Sequence, residues 1–190
     1  MIVAIDIGNT NITTAFIENN TIIKNYRLTT KLQRTSDEYG LYFLTFLNEA
    51  HLKVEDIEDV IVSTVVPKIM YSFNHAIKKY LHHEPINIEA KSNSGIQIIT
   101  DQPSSVGADR IVDAAGAFYN YGGPCLVIDF GTATTFDYVN EKGEFLYAVT
   151  SPGIEITAQA LSNMAAQLPE IAIQKPASIL AKNTITSMQA

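Results

Sequence analysis

Val3-Ala4-Ile5-Asp6-Ile7-Gly8-Asn9-Thr10-Asn11 and Leu126-Val127-Ile128-Asp129-Phe130-Gly131-Thr132-Ala133-Thr134 are one phrase written twice, 123 residues apart. In each copy an apolar run reaches an aspartate, and a glycine follows two residues later in a turn rich in hydroxyl and amide side chains. A short apolar run bounded by turn residues reads as a buried strand. The C-terminal ends of strands are where α/β sheets place ligands. A glycine there lets the main chain approach phosphate oxygens with no Cβ in the way. The aspartate beside it suits Mg²⁺, which takes few carboxylates and completes its shell with substrate phosphates and water. Two copies in register predict two related halves with a cleft between them.

The flanking sequence repeats too. Residues 12–18 and 21–28 read as strands joined by Asn19-Asn20, a pair that tolerates positive φ in a tight hairpin. Residues 134–139 and 144–149 flank Asn140-Glu141-Lys142-Gly143 in the same way. The first half continues with a helix over 36–50, opened by a capping box from Thr35 and Glu38 and carrying Leu41, Leu44 and Leu47 at helical spacing. A buried strand over 57–66 follows, and Pro67 starts a helix over 67–81 with Ile69, Met70, Phe73, Ile77 and Leu81 on one face. A short strand is expected over 85–89, a loop or edge strand over 95–105, and a helix over 108–121 that stops at Gly122-Gly123-Pro124.

In the second half the hairpin is followed by a helix over 152–167, a short strand over 170–174, and the first turns of a helix over 184–190. Strands first and helices after, in each half, give a three-stranded meander with helices packed on it. The second copy lacks room for the further strand and helix that complete the first. The expected layout is therefore a first domain over 1–115 and a truncated second domain over 116–190. The missing layer would come from a longer chain or from a partner.

Composition narrows the function. The chain of 190 residues is 46% hydrophobic and 17% charged, as globular domains are, and its formal net charge is −7. No basic stripe offsets that charge, so nucleic acid is not an expected partner. No apolar stretch approaches the roughly 20 residues that span a bilayer, so no membrane partner is expected either. Cys125 is the only cysteine and reads as a small core residue; a reducing cytoplasm is the expected location. His51, His75, His82 and His83 show no metal-ligand spacing and read as surface residues.

Val106-Gly107-Ala108-Asp109-Arg110 opens the helix over 108–121. A helix N-terminus stabilises a first-turn carboxylate and attracts anions. Asp109 is thus a candidate proton acceptor, beside Arg110 as a clamp for an acidic substrate. There is no P-loop pattern and no nucleophile elbow.

Asp6-Ile7-Gly8-Asn9-Thr10-Asn11, Gly107-Ala108-Asp109-Arg110 and Asp129-Phe130-Gly131-Thr132-Ala133-Thr134 together resemble type III pantothenate kinase. Ser63-Thr64-Val65-Val66-Pro67, Ser151-Pro152-Gly153 and Lys182-Asn183-Thr184 support the resemblance, which covers essentially the whole chain. It implies an α/β fold of duplicated ribonuclease H-like halves, as in the actin, Hsp70 and sugar-kinase superfamily, with the second half incomplete here. It implies ATP-dependent phosphorylation of pantothenate to 4'-phosphopantothenate, the first step toward coenzyme A. By the same resemblance, Asp6, Ile7, Gly8, Asn9, Thr10, Asn11, Ile12 and Thr13 form the first ATP-phosphate loop, with Asp6 on the Mg²⁺ side. Thr132 contacts ATP, and Asp129 is the ligand of a monovalent cation, K⁺ or NH₄⁺. Gly107, Ala108, Asp109 and Arg110 bind pantothenate with Asp109 as proton acceptor, and Thr184 is a further substrate contact. A homodimer is implied as well.

The sequence departs from the family pattern in places. Thr100 stands where family members commonly carry a substrate-binding Tyr, Tyr147-Ala148 replaces a Gly-Gly pair, and Ala181 replaces a Gly before Lys-Asn-Thr. The glycine motif that the family uses on the adenine side has no counterpart in these residues. Such departures leave a second reading, a kinase-like regulatory or accessory protein with impaired catalysis. Retention of Asp6, Asp109, Arg110 and Asp129 favours the enzyme.

Overall fold

β1 (Ile2–Ile7) buries Val3, Ile5 and Ile7 and turns Ile2, Ala4 and Asp6 to its other face, the two-residue period of a strand with one face on a core. The computed structural model describes residues 1–190 and resolves two compact units, Met1–Gly116 and Ala117–Ala190. In the first unit β2 (Asn11–Glu18) runs antiparallel to β1, and β3 (Thr21–Thr29) antiparallel to β2. Asn19 and Asn20 join them with φ of 50° and 59°, the two positive values a tight right-twisted hairpin needs. β4 (Asp59–Thr64) lies parallel to β1 on its other side, and the short β5 (Ile86–Asn87) lies parallel to β4. The order is β3-β2-β1-β4-β5.

Parallel neighbours need long crossovers, and helices supply them. α1 (Ser36–Glu49) connects β3 to β4 and begins with the expected capping box. Glu38 N–H donates to Thr35 Oγ1 at 3.3 Å, and Thr35 N–H donates to Glu38 Oε2 at 2.7 Å. Losing an N-cap hydroxyl costs a helix on the order of 1 kcal/mol, so Thr35→Ala is expected to lower the melting temperature by roughly 2–4 °C in a calorimetric scan. The buried stripe of α1 differs from the expected one. Leu41 and Leu44 are exposed, and of the three leucines only Leu47 enters the core, with Tyr39, Phe43 and Phe46. These lie at i, i+4, i+7 and i+8, a wider stripe whose rings fill more volume than leucines every third residue would.

Residues 67–81 follow one helical path with three hydrogen-bonding patterns. A 3₁₀ turn (Pro67–Ile69) leads into α2 (Met70–Ala76), which widens into a π turn (Ile77–Leu81) ending at His82 with φ of 59°. Of its expected face Ile69, Phe73, Ile77 and Leu81 are buried and Met70 is half-buried; Phe73 packs edge-on against Tyr39 at 4.8 Å and Phe43 at 5.4 Å between centroids. These rings, with Ile69, Ile77 and Leu81, close over Val3, Ile5, Ile7, Val60 and Val62 of the sheet. At the surface Lys79 Nζ and Tyr80 Oη both donate to Asp37 Oδ1 at 2.8 Å, tying α1 to the end of this path. The Lys79 hydrogen bond, then that of Tyr80, lowers the pKa of Asp37. This exposed tie is present at neutral pH and lost as pH falls through the lowered value.

Beyond β5 come the two-residue β6 (Gln97–Ile98) and a 3₁₀ turn (Pro103–Ser105). α3 (Ala108–Tyr121) follows, and the boundary between the units falls within it. In the second unit β7 (Cys125–Phe130), β8 (Ala133–Val139) and β9 (Glu144–Pro152) form an antiparallel meander, followed by α4 (Ile154–Met164) and α5 (Thr184–Gln189).

Four expectations change here. β7 is not a buried strand: Leu126, Ile128 and Phe130 are exposed, as are Tyr147 and Val149 on β9. Register places these five on one face of the meander, and no helix or strand covers them. Cys125, at the start of β7, is half-buried rather than a core residue. Residues 170–174 form no strand; Pro169 and Pro176, neither of which has an N–H to donate to a ladder, bracket the segment. The repeat also slips by one. The offset is 123 between β1 and β7, but Ile7 pairs with Ile12 whereas Phe130 pairs with Thr134, so β2 and β8 are 122 apart. The first glycine loop is thus one residue longer than the second. His51, His75 and His82 are exposed and His83 is half-buried, as the surface reading expects. No helix is long and apolar enough to cross a membrane.

Candidate functional site

The first glycine loop leaves β1 at its C-terminal end. Asp6 is the exposed penultimate residue of that strand, with Thr13 of β2 and Ser63 of β4 as its register partners. Gly8 N–H donates to the Asn11 carbonyl at 2.9 Å, closing the turn, and the Gly8 carbonyl accepts Thr30 Oγ1 at 2.7 Å. A Cβ on Gly8 would stand 3.3 Å from the Asn11 carbonyl, so the turn leaves little room for a side chain there. Asn9, Thr10 and Asn11 are exposed, and Thr13 is half-buried. Ile7 and Ile12 differ from these neighbours: their side chains are 0% and 1% exposed in the core, so only their main chain is available to a ligand.

Gly107-Ala108-Asp109-Arg110 begins α3. The Gly107 carbonyl accepts the Ile111 N–H at 3.2 Å as the first helical bond, and the Asp109 carboxylate accepts the Arg110 N–H at 2.8 Å. A Cβ on Gly107 would collide with Asp109 Oδ1, so glycine is what allows the carboxylate to fold back over the helix start. Asp109 and Arg110 are half-buried. Beside them opens a cleft of about 850 Å³, walled by Thr64, Val65 and Pro67 after β4, by Glu89, Ala90 and Lys91 after β5, and by residues 103–108. Val65 N–H donates to the Ile7 carbonyl at 3.1 Å, so the exit of the Asp6 strand is bonded to a wall of this cleft. Within the first unit, the glycine loop and the Asp109 segment are therefore joined through two parallel strand ends. Thr100 is half-buried, and its Oγ1 is buried without a hydrogen-bond partner.

In the second unit Asp129 is exposed at the penultimate position of β7, and Thr132 is exposed in the turn between β7 and β8. Gly131 N–H donates to the Ala133 carbonyl at 3.0 Å. Gly153 N–H donates to the Thr132 carbonyl at 3.1 Å, so the start of α4 braces the loop from behind. Thr184 is exposed at the first position of α5, after Asn183, whose Oδ1 caps the helix by accepting Thr186 N–H at 2.9 Å.

The donors are hard oxygens throughout, and no three His, Cys, Asp or Glu side chains gather into a cage. One exposed carboxylate at a strand end, with hydroxyls on both flanking strands, fits Mg²⁺ held largely by phosphates and water. Asp129, exposed near the end of β7, likewise offers carboxylate oxygens suited to a hard cation. No motif in the sequence marks the cleft walls Thr64, Glu89, Lys91, Ser104 and Ser105. Their one signal was the polar Ser104-Ser105 pair just before the Gly-Ala-Asp-Arg segment.

A family model described as type III pantothenate kinase matches residues 2–190. A type III pantothenate kinase of Agathobacter rectalis is 53% identical over 190 residues, which is all of this chain and 73% of that protein. Among solved structures, a Campylobacter jejuni protein described as a Baf family transcriptional activator aligns with a TM-score of 0.55 at 20% identity, over 98% of this chain and 71% of that one. A Porphyromonas gingivalis protein described as an N-acetylglucosamine kinase aligns with a TM-score of 0.52 at 15% identity, over 90% and 58%. At such identities the structural likenesses carry the fold alone, and that fold is the duplicated α/β one of sugar kinases.

Proposed function

We propose, since the chain belongs to the type III pantothenate kinase family, that Asp109 is the proton acceptor as the γ-phosphoryl group of ATP passes to the primary hydroxyl of pantothenate. The chain is a phosphotransferase of coenzyme A biosynthesis, and nothing favours the regulatory reading. The observation that carries the assignment is the Asp109 carboxylate, held at the N-terminus of α3 beside the 850 Å³ cleft, with Gly107 making room for it.

Phosphoryl transfer asks for positioning and charge neutralisation more than for covalent chemistry. Pantothenate lies in the cleft with its hydroxyl at Asp109 and its carboxylate drawn by Arg110 and the helix N-terminus; Thr100 and Thr184 are further contacts. The hydroxyl oxygen bonds to the γ-phosphorus as the bond to the β,γ-bridging oxygen breaks, ADP departs, and the hydroxyl proton ends on Asp109. The main chain of residues 6–13 and the side chains of Asn9, Thr10, Asn11 and Thr13 take the ATP phosphates, with Thr132 contacting ATP from the second loop. Asp6 holds Mg²⁺, which when bound spreads the charge of the β- and γ-phosphates. Asp129 holds K⁺ or NH₄⁺. We take the active form to be a homodimer in the cytoplasm, and the two units to be the two ribonuclease H-like halves.

The test is production of 4'-phosphopantothenate, followed by mass spectrometry with coupled ADP release, in Mg²⁺ with K⁺ or with Na⁺ alone. Product in K⁺ and much less in Na⁺ is expected. ADP release without any phosphorylated pantothenate would overturn the substrate assignment, and equal rates in the two salts would overturn the cation assignment.

A further inference from the structure

Ser63 has a hydroxyl with nothing to bond. It is the penultimate residue of β4 and 4% exposed, and its Oγ is buried with no hydrogen-bond partner. A buried hydroxyl without a partner costs free energy, and folded interiors keep few of them. Packing does not account for a serine here. β4 gives Val60 and Val62 to the core, and alternation turns Ser63 to the opposite face. On that face the parallel register sets Ser63 directly beside Asp6, and the antiparallel register sets Thr13 on the other side of Asp6. Neighbouring strands lie about 4.8 Å apart, so a hydroxyl flanks the carboxylate from each side. The flank on β4 is the dry one.

We propose that Ser63 is a positioning residue for Asp6. Its hydroxyl donates to the Asp6 carboxylate when that carboxylate faces a hydrated divalent cation carrying nucleotide phosphates. The bond fixes which carboxylate oxygen is turned toward the cation. A carboxylate that holds a metal is itself hydrogen-bonded by an outer partner, and losing that partner typically weakens the site about 10- to 100-fold. This role rests on the nucleotide reading of the Asp6 loop. It also accounts for the orphaned hydroxyl: a donor kept dry beside an anion forms a stronger bond than one shared with water.

The test uses the whole chain and compares wild type, Ser63→Ala and Ser63→Thr by calorimetric titration with ATP, once in excess Mg²⁺ and once in EDTA, alongside the melting temperature of the free protein. Ser63→Ala is expected to weaken ATP binding about tenfold or more in Mg²⁺, to leave binding in EDTA unchanged, and to leave the melting temperature unchanged or raised. The last follows because an unpaired buried hydroxyl is removed. Ser63→Thr keeps the donor and is expected to retain affinity in Mg²⁺. An equal loss in both buffers, or a fall in melting temperature with no Mg²⁺-specific loss, would make Ser63 a structural residue and overturn its positioning role. Unaltered affinity in Ser63→Ala would overturn that role while leaving the nucleotide reading intact. A wild-type chain that binds no ATP in Mg²⁺ overturns the nucleotide reading itself, and Ser63 with it.

Discussion

Asp109→Asn is expected to slow phosphorylation of pantothenate by about two to four orders of magnitude, the range that a positioned general base contributes. The substitution suits the test because it separates chemistry from folding. The carboxylate accepts the Arg110 N–H at 2.8 Å, and an asparagine keeps an oxygen for that bond. It also keeps the volume into which Gly107 leaves room. What it removes is the capacity to take a proton. The rate constant should fall in steady-state assays while the melting temperature and ATP affinity stay close to wild type. A variant that keeps wild-type turnover would show that Asp109 is a helix cap only. A variant that loses activity together with several degrees of melting temperature would point to the same conclusion by another route.

Gly153→Ala is expected to distort the loop between β7 and β8 from outside it. An added Cβ would overlap the carbonyl oxygens of Gly131 and Thr132, both main-chain atoms that cannot swing aside as a side chain can. Either the start of α4 moves out, breaking the 3.1 Å bond from Gly153 N–H to the Thr132 carbonyl, or the loop itself shifts. Overpacking of this kind costs about 1–3 kcal/mol, which is roughly 2–12 °C of melting temperature for a chain of this size. The loop takes the displacement directly, and errors of about 1 Å in positioning can cost on the order of a hundredfold in rate. Activity should therefore fall further than stability explains. The check pairs a melting curve with an assay well below the transition; wild-type activity at that temperature would remove Gly153 from the support of the loop.

Much of the first unit was legible from local signals. The Asn19-Asn20 hairpin, the Thr35 and Glu38 capping box, and the apolar alternation of β1 each act within a few residues. Short-range physics therefore decides them, and they appear where expected. The stripe on α1 was harder to read, because leucines at 41, 44 and 47 satisfy helical spacing as well as Tyr39, Phe43, Phe46 and Leu47 do. Only the arrival of Phe73 decides between them, through its contacts with Tyr39 and Phe43. In the second unit, apolarity alone marked β7 as buried. Burial needs a covering element, and no sequence window shows whether one is present. The strand expected over 170–174 failed for the same reason: a strand is a property of a pair.

The residues of the candidate site divide in the same way. Residue types and their spacing are enough to show which chemistry is available: two aspartates at strand ends, glycines beside them, and a carboxylate at a helix start. The folded sheets add that Ser63 flanks Asp6, that the strand end after Ile7 is bonded to the cleft wall at Val65, and that the two glycine loops differ in length by one residue. Each of these depends on the register between strands distant in sequence. Register is set by packing a whole sheet face at once, and no local run of residues carries that information.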